Sequence, residues 1–200
     1  MKEAMREGTA PDSDSGDKDL VSRARAHEEG AFEALFRKYR DRVYRVVYGW
    51  CLDPEAALDL TQDVFLRAFR SIGSFKEESS FYTWLCRIAI NRCLDYQREK
   101  KKHREVALEE SLGEESVGCE GVAPASAVLV EELKRDLREA IDKLSEDART
   151  AFTLRFFEGL SYKEIAEALE CSVGTVMSRI FYARQRLREI LKGHLQREKR

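Results

Sequence analysis

The chain has 200 residues, of which 36% are charged, and its formal net charge at pH 7 is -2. This balance excludes a protein that binds nucleic acid through its total charge, and the length allows one or two domains with buried cores. The charge is unevenly distributed, because Lys and Arg dominate 87–104 and 171–200, whereas 105–120 contains Glu and neither Lys nor Arg. Two basic segments on either side of an acidic one indicate local anion-binding surfaces that the net charge conceals.

The N-terminal segment, 1–18, is polar and lacks the apolar core of a signal peptide, so we predict a mobile tail there. No apolar run approaches the roughly 20 residues that cross a bilayer, and we therefore expect a cytoplasmic protein without direct membrane insertion. The cysteines are scattered and form no C-x-x-C pair, which predicts reduced thiols and no metal site or cofactor. They are Cys51, Cys86, Cys93, Cys119 and Cys171.

The segment 19–104 is predicted to be helical throughout. Apolar residues step by threes and fours from Phe32 to Trp50, Asp53 and Pro54 then start a second helix, and Gly73 ends it. Ser80 is the predicted cap of a third helix. The second helix is expected to bury Leu58, Thr61, Val64, Phe65, Ala68, Phe69 and Ile72.

The third helix combines aromatic residues with a basic end, in SSFYTWLCRIAINRCLDYQREKKK at 79–102. Aromatic rings stack on unpaired bases while Lys and Arg hold the backbone, so this composition is typical of a site for single-stranded nucleic acid. Tyr82, Thr83, Arg87 and Asn91 fall on or near one face and are the better candidates for such contacts. The other face carries residues that could equally be ordinary core, namely Phe81, Trp84, Leu85 and Ile88.

Residues 105–127 are rich in Glu, Gly and Ser and follow no period, which predicts a flexible acidic linker. Residues 128–200 are predicted to be helical again, with Ser145 as a cap. Ser161 and Glu164 have the spacing of a capping box, and a short turn over Glu170 and Cys171 precedes Ser172, a second cap.

A short helix, a short turn and a longer polar-basic helix form a predicted helix-turn-helix, whose second helix fits the major groove of duplex DNA. That helix is expected to bury Val176, Ile180, Ala183, Leu187 and Leu191. Its other faces carry candidates for base and phosphate contacts, including Thr175, Ser178, Arg179, Tyr182 and Arg184. A plain helical hairpin with a solvated charged face remains the alternative.

Two stretches together closely resemble the extracytoplasmic-function (ECF) group of bacterial sigma-70 factors. They are DPEAALDLTQDVFLRAFRSIGSFKEESSFYTWLCRIAINRCLDYQREKKK and LSEDARTAFTLRFFEGLSYKEIAEALECSVGTVMSRIFYARQRLRE, and the resemblance covers about 19–195. It implies an all-α protein with two helical domains on a flexible linker, which is not an enzyme and directs RNA polymerase to promoters in a stress or envelope response. The implied partners are promoter DNA, core RNA polymerase (its beta-prime coiled coil and beta flap) and an anti-sigma factor.

The resemblance also assigns roles to residues. The -35 element would be read by Arg155, Ser172, Thr175, Met177, Ser178, Arg179, Phe181, Tyr182 and Arg184. The melted -10 element would be held by Phe75, Tyr82, Arg87, Asn91, Arg92, Arg98, Lys100 and Lys101, and core polymerase would be bound by Asp59, Gln62, Asp63 and Phe65. Positions 177 and 182 are often basic in such proteins, so Met177 and Tyr182 predict a weaker preference for guanine.

Two other function classes stay open. A free-standing helix-turn-helix regulator would bind duplex DNA without polymerase, although the near-neutral charge argues against strong autonomous binding. An enzyme is disfavoured, because the sequence contains no G-x-x-x-x-G-K loop, no metal-ligand spacing and no nucleophile elbow.

Overall fold

The computed structural model describes residues 14–110 and 135–197, and all regular secondary structure in these ranges is helical, which confirms the all-α prediction for them. The N-terminal half consists of α1 (Asp14–Arg25), α2 (Ala31–Cys51), α3 (Pro54–Ser71), a 3-10 turn (Ile72–Ser74) and α4 (Phe81–Glu110). The C-terminal half consists of α5 (135–142), α6 (Glu146–Phe156), α7 (Tyr162–Ala168) and α8 (Val173–Arg197).

The predicted helix starts are confirmed by side-chain caps. The Asp53 carboxylate accepts from the backbone N–H groups of Glu55 and Ala56, and Ser80 accepts from Thr83 at 3.0 Å. Ser161 and Glu164 form the reciprocal capping box, with distances of 2.7 and 3.2 Å. Each such cap contributes about 1 kcal/mol to helix stability, and together they fix where α3, α4 and α7 begin.

Helix α1 begins at Asp14, inside the segment predicted as a tail, and α4 runs to Glu110, past the predicted start of the linker. Asp17 is buried and accepts from Lys38 at 2.5 Å and from the Tyr39 hydroxyl, which ties α1 to α2. The rest of the predicted tail and linker, 1–13 and 111–127, lies outside the described residues.

Helix α3 buries Thr61, Val64, Phe65 and Ala68 as predicted, but it differs from the prediction at other positions. Leu58 and Phe69, predicted to be buried, are about half exposed, whereas Ala57 and Leu60 are buried instead. The reason is that α3 packs against both α2 and α4. These two contacts bury the face of α3 that carries Ala57, Leu60, Thr61, Val64, Phe65 and Ala68.

The two halves pack directly against each other, which the sequence pattern did not predict. Helix α4 contacts α2 and α3 on one side and α7 on the other, and α2 also contacts α6. Gly49 shows how close this contact is, because a Cβ built there would lie 2.4 Å from the ring of Phe157. A glycine inside a helix costs about 0.5–1 kcal/mol relative to alanine, and here it permits the approach of the C-terminal half.

Candidate nucleic-acid interface and docking surface

Helices α7 and α8 follow each other in the predicted order of a short helix, a short turn and a longer helix. The turn places Glu170 in the left-handed region at a φ of 50°, and the Cys171 N–H donates to the Ala166 carbonyl at 3.0 Å. Ser172 accepts from the Thr175 N–H at 3.0 Å and starts α8. Val176, Ile180, Ala183 and Leu187 are buried as predicted, while the side chain of Leu191 lies outside the described residues.

The first three turns of α8 expose a row of apolar side chains, whereas the later turns expose charged and polar ones. Val173, Met177 and Phe181 follow each other at four-residue intervals, and Phe181 is 71% exposed, the largest value among the exposed large hydrophobic residues. Tyr182 and Ser178 lie beside this row, and Ser178 donates its hydroxyl to the Gly174 carbonyl at 3.0 Å. This face is available to a ligand without any rearrangement of α8.

Two of the cations assigned to the -35 element are engaged within the C-terminal half. Arg179 donates to Asp147 at 2.5 Å, and its side chain is 25% exposed. Arg155 donates to the Leu160 carbonyl at 2.9 Å and lies over the Tyr162 ring. Arg184 is exposed one turn beyond Ile180, so the accessible positive charge lies towards the later turns of α8.

The residues assigned to the -10 element fall into an exposed and an engaged group. Asn91 and Lys100 are exposed along α4. Arg98 and Lys101 are also exposed, although Arg98 pairs with Asp95 at 3.4 Å and Lys101 with Glu146 of the C-terminal half at 3.5 Å. Arg92 is largely buried and pairs with Asp63 at 2.9 Å. Arg87 reaches the C-terminal half, where it donates to the Glu167 carbonyl at 2.9 Å and pairs with Glu170 at 2.7 Å.

The exposure predicted for Tyr82 and Thr83 was wrong, and Thr83 is only 1% exposed. Tyr82 is 5% exposed, stacks on Tyr39 with ring centroids 5.4 Å apart, and donates its hydroxyl to Glu158 at 2.6 Å. Burial raises the pKa of Tyr82, so its hydroxyl remains a proton donor. Phe75 is also buried, between Phe81 and Trp84. The sequence pattern predicted one exposed face on α4, because helical period alone does not show that the C-terminal half covers that face.

Glu158 is the centre of the contact between the halves. Its carboxylate is 1% exposed and accepts from Arg42 Nε at 3.0 Å, Arg45 Nε at 2.7 Å and the Tyr82 hydroxyl. The Arg42 guanidinium also lies 3.5 Å from the centroid of the Tyr82 ring. We call Glu158, Arg42, Arg45 and Tyr82 the Glu158 latch. Because a buried charge is tolerated only with hydrogen-bonded partners, the latch specifies one docking geometry.

A second set of contacts lies at the end of α2. Arg149 is buried, donates to Asp142 at 3.0 Å and to the Trp50 carbonyl, and its guanidinium lies 4.2 Å from the Trp50 ring centroid. Burial lowers the pKa of Arg149. Arg138 donates to the Leu52 carbonyl at 2.7 Å. These bonds use backbone carbonyls at the C-terminus of α2, where a helix is electronegative.

Residues assigned to both promoter elements meet in one cleft. Arg87 and Asn91 from α4 and Arg179 from α8 line the same cavity of about 260 Å³, together with Asp147 and Glu170. The described conformation is therefore closed: it places the two candidate DNA-binding regions beside each other.

Helix α3 presents a separate exposed surface. Leu58, Leu66 and Phe69 are each about half exposed, and Asp59 and Gln62 lie exposed among them. We call these five residues the α3 surface. A groove of about 720 Å³ adjoins it, with Phe32, Phe36 and Phe65 in its walls and Glu28, Glu29 and Glu33 at its edge. Exposed apolar patches of this kind mark sites of protein association.

The polymerase-binding set assigned from the sequence needs correction at one position. Phe65 is 4% exposed and packs against Phe36 at 4.8 Å between ring centroids, so it stabilises the core and offers little to a partner. Asp63 is partly exposed but paired with Arg92. Leu66 and Phe69, which the assigned set leaves out, are exposed on the same surface, and the signal that could have placed Leu66 there is its spacing of four residues from Gln62.

Within residues 14–110 and 135–197, no group of His, Cys, Asp and Glu could hold a metal ion. Cys51, Cys86, Cys93 and Cys171 carry free thiols. No helix among these residues is long and apolar enough to cross a membrane.

The sequence matches two family models, Sigma-70 region 2 over residues 35–103 and Sigma-70, region 4 over residues 134–187. The RNA polymerase sigma-H factor of Pseudomonas aeruginosa is 37% identical over 180 residues, covering 88% of this chain and 93% of that protein. The ECF RNA polymerase sigma-E factor of Escherichia coli K12 is 38% identical over 174 residues, covering 84% and 91%.

Two solved structures are also similar. The sigma factor RpoE of Bartonella quintana, in complex with the anti-sigma factor NepR, has a TM-score of 0.59 and 29% identity, covering 82% of this chain and 98% of that chain. CnrH, in complex with the cytosolic domain of CnrY, has a TM-score of 0.65 at 22% identity, covering 88% and 97%, which is a likeness in fold.

Proposed function

Because the chain belongs to the ECF group of the sigma-70 family of RNA polymerase sigma factors, which act in transcription initiation, we propose that it works through three separate surfaces. The α3 surface docks on the beta-prime coiled coil of core polymerase. The exposed part of α4, with Asn91, Arg98, Lys100 and Lys101, holds the melted -10 strand. The exposed face of α8 reads the -35 element as duplex.

The α3 surface carries this proposal. Three half-exposed apolar side chains that lie together with a carboxylate among them are typical of a surface that binds another protein. Asp59 gives that partner a preference for positive charge. A free-standing regulator has no evident use for such a surface on the half that does not carry the helix-turn-helix.

The closed conformation implies that the halves separate during function. The two promoter elements lie about 60 Å apart at 3.4 Å per base pair. In the closed conformation, by contrast, Arg87 of the N-terminal half is bonded to the Glu167 carbonyl in α7 and to Glu170 in the turn before α8. The 24 residues of 111–134 can extend over about 80 Å. The chain between the halves is therefore long enough to let them reach both elements once the Glu158 latch opens.

We further propose that an anti-sigma factor holds the protein inactive, as expected for a cytoplasmic switch in a stress or envelope response. The support is that the similar sigma factor RpoE of Bartonella quintana was solved in complex with the anti-sigma factor NepR. A protein bound across the α3 surface would prevent docking on polymerase.

The test of the proposed function is transcription from a genomic promoter library with the purified chain and core polymerase. We expect position-specific transcription starts that require both components. Specific binding of duplex sites by the pure chain, with no effect of polymerase, would instead identify a free-standing regulator.

A further inference from the structure

The first three turns of α8 lack the side chains that read most bases. In a helix-turn-helix the N-terminal residues of the second helix contact base edges. Guanine is read by Arg or Lys, adenine by Asn or Gln, and cytosine by Asp or Glu. Among residues 173–183 only Arg179 belongs to these types, and it is bonded to Asp147 and only 25% exposed.

Three hydroxyl groups near the start of α8 take part in hydrogen bonds within the helix, whereas the side chain of Tyr182 is 56% exposed and presents its hydroxyl to a ligand. Ser172 and Thr175 hydroxyls are 2.9 Å apart at the start of the helix, and Ser178 donates to the Gly174 carbonyl. Ser178 would have to give up its bond to donate to a base, whereas one of the Ser172 and Thr175 hydroxyls keeps a free proton, because only one of the two donates to the other. Apart from the hydroxyls, the exposed side chains left for base contact in these turns are apolar, and Met177 is 52% and Phe181 71% exposed.

One base presents an apolar group in the major groove, namely thymine with its C5-methyl. We propose that Met177 and Phe181 read thymine methyl groups in the upstream promoter element, so that this element is specified by thymines more than by guanines. Residues 177 and 181 are one helical turn apart, about 6 Å along α8, and they face adjacent or nearly adjacent base pairs at 3.4 Å per step. Arg184 and Arg188, both exposed on later turns, would hold the flanking phosphates.

This inference rests on the proposed function and names the ligand of the same face. A protein-docking role for the row Val173, Met177 and Phe181 is the competing use of an exposed apolar surface. Tyr182 and the two later arginines favour nucleic acid, because they surround the row with hydrogen-bonding and cationic groups.

The test replaces single thymines in the upstream element by deoxyuridine, which removes only the methyl group. The probe is a promoter duplex selected by the holoenzyme from a library randomised in that element. Burial of one methyl group corresponds to about fourfold in affinity, so we expect deoxyuridine at one or two positions to weaken holoenzyme binding by that factor. No loss at any thymine would overturn the proposal.

A double-mutant cycle separates contact from DNA shape. In Phe181→Ala the loss at one thymine should disappear, whereas Phe181→Leu, which keeps an apolar side chain, should retain part of it. Gln185→Ala, on a later exposed turn, is the matched control and should leave the deoxyuridine effect intact. If deoxyuridine weakens wild type and Phe181→Ala equally, the methyl acts through DNA shape and the proposal fails.

Met177→Arg tests the same face by gain of function. The new guanidinium can donate to guanine O6 and N7, so selection with the variant holoenzyme should enrich guanine at one upstream position. An unchanged preference would show that residue 177 does not face the bases. Absence of any polymerase-dependent transcription start would be a different result. It would refute the proposed function, and with it the reading of an upstream promoter element by α8.

Discussion

Glu158→Gln should open the closed conformation and make Cys86 react with thiol reagents about a hundred times faster. The substitution leaves Arg42 and Arg45 facing a neutral amide at a position that is 1% exposed. Removing one partner of a buried ion pair costs about 3–5 kcal/mol, and about 2.7 kcal/mol corresponds to a hundredfold change in an equilibrium constant. Part of that cost is relieved when the halves separate, because water then solvates both arginines.

Cys86 is a natural reporter of this opening. It is fully buried beside Tyr82, and burial raises the pKa of its thiol to about 12. At pH 8 the closed protein therefore holds almost no Cys86 thiolate. Separation of the halves brings the pKa back towards the ordinary value of about 8.5, so alkylation proceeds through the open state. Alkylation followed by peptide mass spectrometry at pH 8 measures the rate at this cysteine alone.

Gly49→Ala tests the same contact without changing a charge. A Cβ at position 49 would lie 2.4 Å from the Phe157 ring, so the halves have to shift although alanine favours the helix itself. Gly73→Ala is the matched control, because nothing lies within 4 Å of a Cβ there. If Cys86 reacts no faster in either Glu158→Gln or Gly49→Ala, while circular dichroism shows intact helices, the latch does not hold the halves together.

Leu66→Ala should weaken binding to core polymerase by about tenfold to a hundredfold and leave the melting temperature nearly unchanged. Leu66 is 54% exposed in the middle of the α3 surface, so the free protein loses little when it is truncated. In a complex the same side chain would be fully buried, and such central apolar contacts cost above 1 kcal/mol when removed. Fluorescence anisotropy with labelled protein and core polymerase measures the affinity.

Truncation of Phe65, the residue next to Leu66, should affect protein stability instead. Phe65 is buried against Phe36, so Phe65→Ala should lower the free energy of unfolding by about 3–5 kcal/mol. Arg40→Ala, at an exposed position on α2, should change neither quantity. Unchanged polymerase affinity in a Leu66→Ala, Asp59→Ala double variant would show that core polymerase does not bind the α3 surface.

Local features of this protein could be predicted from the sequence because their partners are near in the chain. The caps at Asp53, Ser80 and Ser161 each bond a backbone group within three residues, and the structure confirms them. The buried positions of α8 follow directly from helical period. In α3 the period was compatible with two neighbouring faces, and only the position of α4 decided that Leu60 faces inward and Leu58 outward.

The latch could not be predicted in this way. Glu158 stands beside Gly159 in a short connection, which reads as a solvated turn, and its arginine partners are 113 and 116 residues away. Gly49 was a usable signal, because a glycine inside a long amphipathic helix suggests a close approach of another element. The sequence did not indicate that this element is Phe157 in the other half.

The most direct test of the account is the distance between the two halves, measured by single-pair fluorescence transfer with dyes at Asp41 and Lys192, both exposed. If the halves separate during transcription initiation, we expect a short distance in the free protein and an increase of several tens of ångströms when core polymerase and promoter DNA are added together. A distance that stays the same in the transcribing complex would contradict this separation.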